Sequence, residues 1–396
     1  MIKINNKSNC SGCTACESIC AHNAITMQPD ALGFLYPLVD AKECVECGLC
    51  EKVCQFHNDY KRYDNYNEPI VYALRIKDDE QLMRSQSGGA FWGIAQKIVD
   101  SNGVVYGASF NENWCVTHQK ASNTGELEKL RMSKYVQSDM RGVYMQVKED
   151  LRQGLTVLFS GTACQVAGLK ASIPQKLHGN LFCVDIVCHG VPSPRVWEDY
   201  IAYLEKRYKS RIVKACFRDK RFGWHGAKET FRFENGKEIT RQTSNRLYFS
   251  GISMRESCAN CKFTNLKRVG DITVGDFWGY PKDSPYEKDK KGISVALINS
   301  EKGEKLFNEI RDLFIVEESN TTECLVRQPQ LQFPSKISPL HSNFAKDYAN
   351  SGFLFVTNKY GDMGWRYHMR KTINRTKMLI YRIIWALHIK EKPKGI

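Results

Sequence analysis

The chain has no signal-like N-terminus, no low-complexity tract and no apolar run long enough to cross a bilayer. The first absence points to a cytoplasmic, reducing compartment. The second points to a globular chain, long enough at 396 residues for two or three domains. The third argues against a membrane span. Acidic residues are few beside basic ones, 43 against 57, for a formal net charge of +14. No recognised nucleic-acid-binding motif accompanies that excess, so nucleic acid is not an expected partner. No GxGxxG follows a strand, which removes the common dinucleotide fingerprint. Cysteine, in contrast, is abundant. Sixteen of them without an export signal imply metal ligation and not a disulfide scaffold.

Half of those cysteines form one pattern written twice. Cys10-x-x-Cys13-x-x-Cys16-x-x-x-Cys20 is followed by Cys44-x-x-Cys47-x-x-Cys50-x-x-x-Cys54. This is the spacing of a bacterial-type ferredoxin with two 4Fe-4S clusters, in which the fourth cysteine of each run ligates the other cluster. One cluster should use Cys10, Cys13, Cys16 and Cys54, and the other Cys44, Cys47, Cys50 and Cys20. Small residues in the loops, Ser11, Gly12, Ala15 and Gly48, suit a backbone that wraps closely and aims N–H groups at sulfur. The proline usual after the fourth cysteine is replaced by Ala21 and Gln55, neither of which changes the ligand set. Zinc sites pair CxxC units across longer gaps, and disulfides need no such periodicity.

Residues 1–57 therefore read as a ferredoxin-like dicluster module and 58–69 as a polar, tyrosine-rich linker. Beyond it, strands are expected at Val71–Ile76, Val104–Phe110, Leu155–Ser160, Leu181–Val187, Asp271–Asp276 and Ile293–Asn299. Helices are expected after Gly89, from Asp139 to Gln153, after Gly161, from Ser193-Pro194 to about Tyr208, and over Glu301–Arg311. Asn235-Gly236 marks a hairpin. Alternating strands and helices predict an α/β core with a mixed sheet, divided here into 70–155 and 156–318. Residues 319–396 form a C-terminal extension. From Trp365 it alternates Arg366, Arg370, Lys371, Arg375, Lys377, Arg382 and Lys390 with Met378, Leu379, Ile380, Ile383, Ile384, Trp385 and Leu387. That is a basic amphipathic helix, suited to an anionic membrane at its inner face, to a partner protein, or to packing on its own domain.

Four of the other cysteines stand in marked context. Cys164 and Cys188 each follow a buried strand at its C-terminal end, where sites gather in α/β sheets. Cys258 and Cys261 form a CxxC. Four thiolates from three loops can hold a third cluster or zinc, and the CxxC can be redox-active or structural; spacing alone leaves these open. Cys115, Cys183, Cys216 and Cys324 read as ordinary buried thiols. If three clusters are bound, their thiolates and cores bring the net charge down to about +8. Electrons arriving singly need a converter if the substrate takes a hydride, and flavin is the usual one. Ser87-Gly88-Gly89 at a helix start offers N–H groups to a phosphate, although such a pair is also a plain turn. Lys134-Tyr135-Val136-Gln137-Ser138 adds a cation, a ring and a hydroxyl. His189, Arg218, Asp219, Lys220 and His225 are candidate acid–base or anion-contacting groups, each with a structural alternative.

Together, Ser87-Gly88-Gly89, Ser133-Lys134-Tyr135-Val136-Gln137-Ser138, Gly161-Thr162-Ala163-Cys164-Gln165, Asp185-Ile186-Val187-Cys188-His189-Gly190, Phe217-Arg218-Asp219-Lys220, Cys258-x-x-Cys261 and Gly270-Asp271 through Gly279 give the chain a resemblance. Over about residues 70–315 it resembles the family of coenzyme F420-reducing hydrogenase/dehydrogenase beta subunits, with the ferredoxin module fused in front. The resemblance implies a flavin-binding α/β core with a 4Fe-4S cluster beside FAD. It makes Cys164, Cys188, Cys258 and Cys261 the third cluster's ligands, and Ser87, Gly88, Gly89, Lys134, Ser138 and Thr162 the FAD contacts. Ala163 departs from the family's usual proline. The expected function is an iron–sulfur flavoprotein oxidoreductase. It would take electrons from a ferredoxin or similar donor through the clusters to FAD, and pass a hydride to an acceptor. That acceptor is a deazaflavin or, as in members found with surface-polysaccharide biosynthesis, another substrate. The alternative is an electron-relay subunit of a larger complex with no substrate of its own.

Overall fold

The computed structural model describes residues 1–386, apart from 59 and 62. Asp59 and Arg62 of the expected linker, and Leu387 and Lys390 of the basic tail, lie outside the described residues.

In the front module α1 (Ala15–Ser18), an antiparallel pair β1 (Ile25–Pro29) and β2 (Leu35–Val39), and α2 (Leu49–Lys52) follow one another. Each helical turn starts after a left-handed residue, Thr14 at φ 67° and Gly48 at φ 73°. That step folds each cysteine loop tightly into its turn, so the duplicated spacing becomes a duplicated backbone.

The core opens with β3 (Ile70–Ile76), α3 (Asp79–Arg84), α4 (Ala90–Asp100), β4 (Val104–Phe110), β5 (Val116–Ala121), α5 (Thr124–Leu130) and α6 (Val143–Arg152). It continues with β6 (Val157–Thr162), α7 (Ala163–Ser172), β7 (Leu181–Ile186) and α8 (Pro194–Tyr208). A small antiparallel sheet of β8 (Ile212–Cys216), β9 (Glu229–Phe233) and β10 (Glu238–Arg241) precedes α9 (Thr243–Phe249). Then come β11 (Ile272–Asp276), α10 (Pro285–Lys288), β12 (Ser294–Ile298), α11 (Glu301–Ile310), β13 (Phe314–Ser319), α12 (Thr321–Leu325), α13 (His341–Lys359) and α14 (Trp365–Ala386). α13 is broken at Gly352, whose φ is +72°.

The main sheet runs β13-β3-β12-β11-β7-β6-β4-β5. Its centre, β11-β7-β6-β4, is parallel and both flanks are antiparallel, so the sheet is mixed as the alternation predicts. Strand residues sort by the two-residue period onto two faces. Val105, Leu158 and Val184 pack under α4, α5 and α11, whereas Tyr106, Phe159 and Cys183 pack under α6 and α7. The expected division at 155/156 runs through this one sheet. The short strands β5, β8 and β13, with polar residues along them, add edges that the sequence pattern does not mark. The segment expected to be a linker is tied down: Tyr60 packs on Phe263 with ring centroids 4.6 Å apart, and the Tyr63 hydroxyl donates to the Lys170 carbonyl at 2.8 Å. The Asn65 amide donates to the Gly270 carbonyl, also at 2.8 Å.

Glu229, in β9, is wholly buried and accepts from the Asn245 N–H and the Tyr200 hydroxyl. Burial pushes its carboxyl up from 4.5 to about 8. A carboxyl raised on folding favours the native state below its unfolded pKa, and that contribution is lost as pH climbs through the folded one. The Glu229 contribution should therefore fall away between about pH 4.5 and 8, and Glu229→Gln should flatten that slope. Urea midpoints across the range test this; equal slopes in both proteins would refute it.

Candidate functional site

The cysteines of the front module meet crosswise. Cys13 and Cys16 both feel the charges of Cys10 and Cys54, which places the last cysteine of the second run beside the first three of the first. Burial pushes Cys13 up to about 12, Cys16 well above its usual range, and Cys54 upward. Crowded, buried thiols of this kind ionise only against a cationic centre, which is what an iron–sulfur core supplies. Cys50 is buried and its sulfur accepts from the Ile2 N–H at 3.3 Å, while Cys47 is exposed, so the second set stands nearer solvent.

Cys164, Cys188, Cys258 and Cys261 line one small cavity. Cys164 opens α7, where Thr162 and Gln165 cap the helix, and Cys188 leaves the end of β7. The CxxC reaches them because Pro192 bridges Met254 and the Arg255 N–H donates to the Val191 carbonyl at 2.9 Å. The Cys188 loop can approach because residue 190 is glycine: φ is +95°, and a Cβ there would lie 2.3 Å from the Met254 sulfur. Polar hydrogens point at the sulfurs. The Gly190 N–H lies 3.3 Å from Cys188 Sγ and the Phe263 N–H 3.5 Å from Cys261 Sγ, while Cys164 Sγ and the Thr162 hydroxyl are 3.1 Å apart with either able to donate. Burial raises all four thiols, Cys258 to about 12 and Cys261 to about 11, and their mutual charges add to it. Among the described residues no three His, Cys, Asp or Glu side chains close tightly enough to hold a single ion. A cubane is larger, with its thiolates at separate corners.

The two cysteine groups adjoin. The Gln55 amide donates to the Ser11 hydroxyl at 2.9 Å and to the Cys164 carbonyl at 3.1 Å. A Cβ on Gly168 of α7 would lie 2.9 Å from Cys13 Sγ, so glycine is what lets α7 approach the front module. Arg255, fully buried, donates to the carbonyls of Cys10 (2.7 Å) and Leu35 (2.9 Å) and to the Gln137 side chain (2.9 Å).

A larger cavity of about 460 Å³ opens on the other side of Cys188, across the C-terminal ends of β6, β7 and β11. Ser87, Gly89, Lys134, Ser138 and Thr162 line it, as do His189, Arg218 and His225. Gly88, Asp219 and Lys220 are not among its lining residues. Gly88 is pressed against β3, where a Cβ would lie 2.0 Å from the Leu74 carbonyl. Asp219 is engaged with Arg221 and Thr230, and the Lys220 ammonium donates to the carbonyls of Leu82 and Ser87. His189 pairs with Gln330, and His225 Nε2 lies 2.6 Å from the Glu287 carboxylate. Arg218 is held by Asp276 at 2.6 Å and by the Tyr135 hydroxyl at 3.2 Å. Several wall residues lack sequence signals: Gln86, His118, Tyr248, Phe249 and Gln330. Burial pushes His118 down to about 4, which keeps its ring neutral.

Comparison with known proteins bears on both halves. Residues 9–58 match the 4Fe-4S dicluster domain, and residues 154–323 match the family described as the C terminus of the beta subunit of coenzyme F420 hydrogenase/dehydrogenase. One of the subunits of the F(420)H(2) dehydrogenase of Methanosarcina mazei is 22% identical over 317 residues, covering 76% of this chain and 82% of that protein. Among solved structures, a chain of the F420-reducing [NiFe] hydrogenase complex from Methanosarcina barkeri aligns with a TM-score of 0.45 and 16% identity, covering 74% of this chain and 91% of that one. Residues 154–323 thus match the C-terminal family of coenzyme F420 hydrogenase/dehydrogenase beta subunits, a family of oxidoreductase subunits, and they stand behind a 4Fe-4S dicluster domain at residues 9–58.

Proposed function

We propose that this protein is an iron–sulfur flavoprotein oxidoreductase that holds a third 4Fe-4S cluster at Cys164, Cys188, Cys258 and Cys261 and FAD in the larger cavity. One observation carries the reading: the two cavities share a wall made of Thr162, Cys188, Gly190, Val191 and Gln330. Bound there, the clusters supply one-electron steps and the flavin their conversion to a two-electron transfer.

The larger cavity has the size of a cofactor site. Its polar lining is also incomplete. Both ends of the Gln86 amide, Nδ1 of His118, Nε of Arg131 and one oxygen of Asp276 are buried without a hydrogen-bond partner. Buried polar atoms seldom stay unpaired, so these atoms favour a polar occupant here. Among the described residues the Lys134 ammonium donates only to the carbonyls of Lys129 and Arg131, and burial pushes it down to about 7. A phosphate beside it would restore its charge. Ser87 and Gly89 present the start of α4 to the same space. Tyr135, Tyr248 and Trp278 supply flat apolar faces for a ring system.

The mouth favours an enzyme over a relay without a substrate. His225 (side chain), Phe249 and Ile186 on its lining are 46%, 47% and 38% exposed, which leaves the cavity open to a small two-electron acceptor. A deazaflavin or a substrate from surface-polysaccharide biosynthesis would fit that description. The exposed Cys47 side of the front module faces the electron donor, a ferredoxin or similar protein.

Anaerobic purification with iron, sulfide and flavin quantified tests the whole reading: about twelve irons per chain and one FAD are expected. Lys134→Met should weaken flavin retention about tenfold and leave iron unchanged. A chain with about eight irons and no flavin would leave only the dicluster domain standing.

A further inference from the structure

We propose that α14 is an interfacial helix that seats this protein on an anionic lipid surface. Its 22 residues contain no Asp or Glu, and six Lys or Arg. Met369, Ile373, Ile380 and Ile383 recur at intervals of four, seven and three residues, which keeps them on one face. They are 49%, 46%, 49% and 50% exposed, far from the burial such side chains find inside a domain. Lys371, Lys377 and Arg382 are exposed too. At about 100° per residue Lys377 stands beside that apolar stripe, and Lys371 and Arg382 lie beyond it towards the far side. The arrangement matches a helix lying in the headgroup region, with an apolar face inward and long cationic side chains reaching lipid phosphates.

The opposite side of α14 meets the body. Tyr367, Asn374 and Met378 border a groove of about 910 Å³ with Arg246 and Ser250. Among the described residues no carboxylate lines this groove, and the Arg246 guanidinium stacks over the Tyr367 ring, 4.6 Å from its centroid. Lys371 and Arg382 reach the same rim, so the body-facing side of α14 adds positive charge that no groove carboxylate offsets.

The charge pattern selects the occupant. Among the described residues no helix is long and apolar enough to cross a membrane. A second copy would bring one acid-free basic helix against another, and like charges repel. An anionic bilayer complements both the stripe and the cations. The seat would also have a consequence for the larger cavity. α9 presents Arg246 to the groove and Tyr248 and Phe249 to the cavity, so α14 and then α9 would link the lipid surface to the open mouth.

Co-sedimentation of the full-length holoprotein with vesicles tests this. It should pellet with phosphatidylglycerol–phosphatidylcholine vesicles at low salt, stay in solution with pure phosphatidylcholine, and be released by salt. The double variant Ile373→Asp/Ile380→Asp should lower partition by about tenfold or more, as should Lys371→Glu/Lys377→Glu. Both pairs are exposed, and unchanged iron content and far-UV circular dichroism verify folding; if the isoleucine pair misfolds, the lysine pair decides alone. The proposal is overturned if the wild-type protein ignores anionic vesicles, if it binds neutral ones equally, or if the variants bind as the wild type does. It is also overturned if α14 instead mediates a concentration-dependent dimer without vesicle binding.

Discussion

Cys164→Ala should purify with about eight irons instead of about twelve, while the dicluster domain keeps its full complement. Cys164 is the one member of its group whose charge bears on Cys188, Cys258 and Cys261 alike, and also on Cys13 of the front module. On the proposed assignment, removing it would leave three ligands and an open corner next to Thr162, where water could enter from the larger cavity. A cubane with one ligand missing is labile, so loss of all four irons is expected and not loss of one. Electrons placed on the dicluster domain by dithionite should then reach bound flavin at least about a hundredfold more slowly, because the step between the two sites is missing. Cys324→Ala is the control: Cys324 is fully buried but packs with Phe277 and Leu331 away from the four, so iron should stay unchanged. Iron and sulfide analysis with single-turnover absorbance measures both arms. Full iron content and normal flavin reduction in Cys164→Ala would end the third-cluster assignment.

How much of the fold and the site is legible in the sequence depends on how local each feature is. The front cysteines are fixed by spacing, because a tight loop converts intervals of three residues directly into convergence. The strands of the parallel centre are also plain, since each is a short run dominated by apolar residues. Cys164 and Cys188 are marked by their places at strand ends. Their meeting with Cys258 and Cys261 is not, because it depends on the Pro192–Met254 bridge and on the bare backbone of Gly190. Gly88 shows the opposite failure. Its glycine signals a turn near phosphate, yet the structure uses the missing side chain to admit the Leu74 carbonyl. Lys220 reads as a site cation because of its neighbours, and its ammonium is instead taken up inside the fold by two carbonyls. The aromatic wall at Tyr248 and Phe249 leaves no periodic trace, since α9 brings both rings to the cavity only through the tertiary fold. Local chemistry is readable, whereas contacts across long sequence separations have to be seen.

Arg255→Met should loosen the whole front module. Among the described residues no carboxylate pairs with this buried arginine; its guanidinium is satisfied by three acceptors on three different segments, Cys10, Leu35 and Gln137. It also lies 4.3 Å from the Tyr36 ring and 5.4 Å from that of Phe34. Methionine keeps much of the stem packing but leaves three buried acceptors unpaired, at a cost of about 3 kcal/mol or more. That loss falls on contacts between the module and the core, so the module should open before the sheet does. Limited proteolysis should accordingly cut within 58–69, which is held in the wild-type protein by Tyr60, Tyr63 and Asn65. Arg255→Lys should recover little, because a single ammonium cannot reach three divergent acceptors as a planar fork does. A second consequence is electrostatic. The positive charge of Arg255 lowers the pKa of both Cys164 and Cys258, so its removal makes added electrons in that region less favourable. Any cluster held there should shift to a more negative potential in Arg255→Met, with Arg255→Lys in between, which a redox titration followed by electron paramagnetic resonance can read. Unchanged denaturation midpoints and an uncut 58–69 segment would show that the module is held by its apolar contacts and not by this arginine.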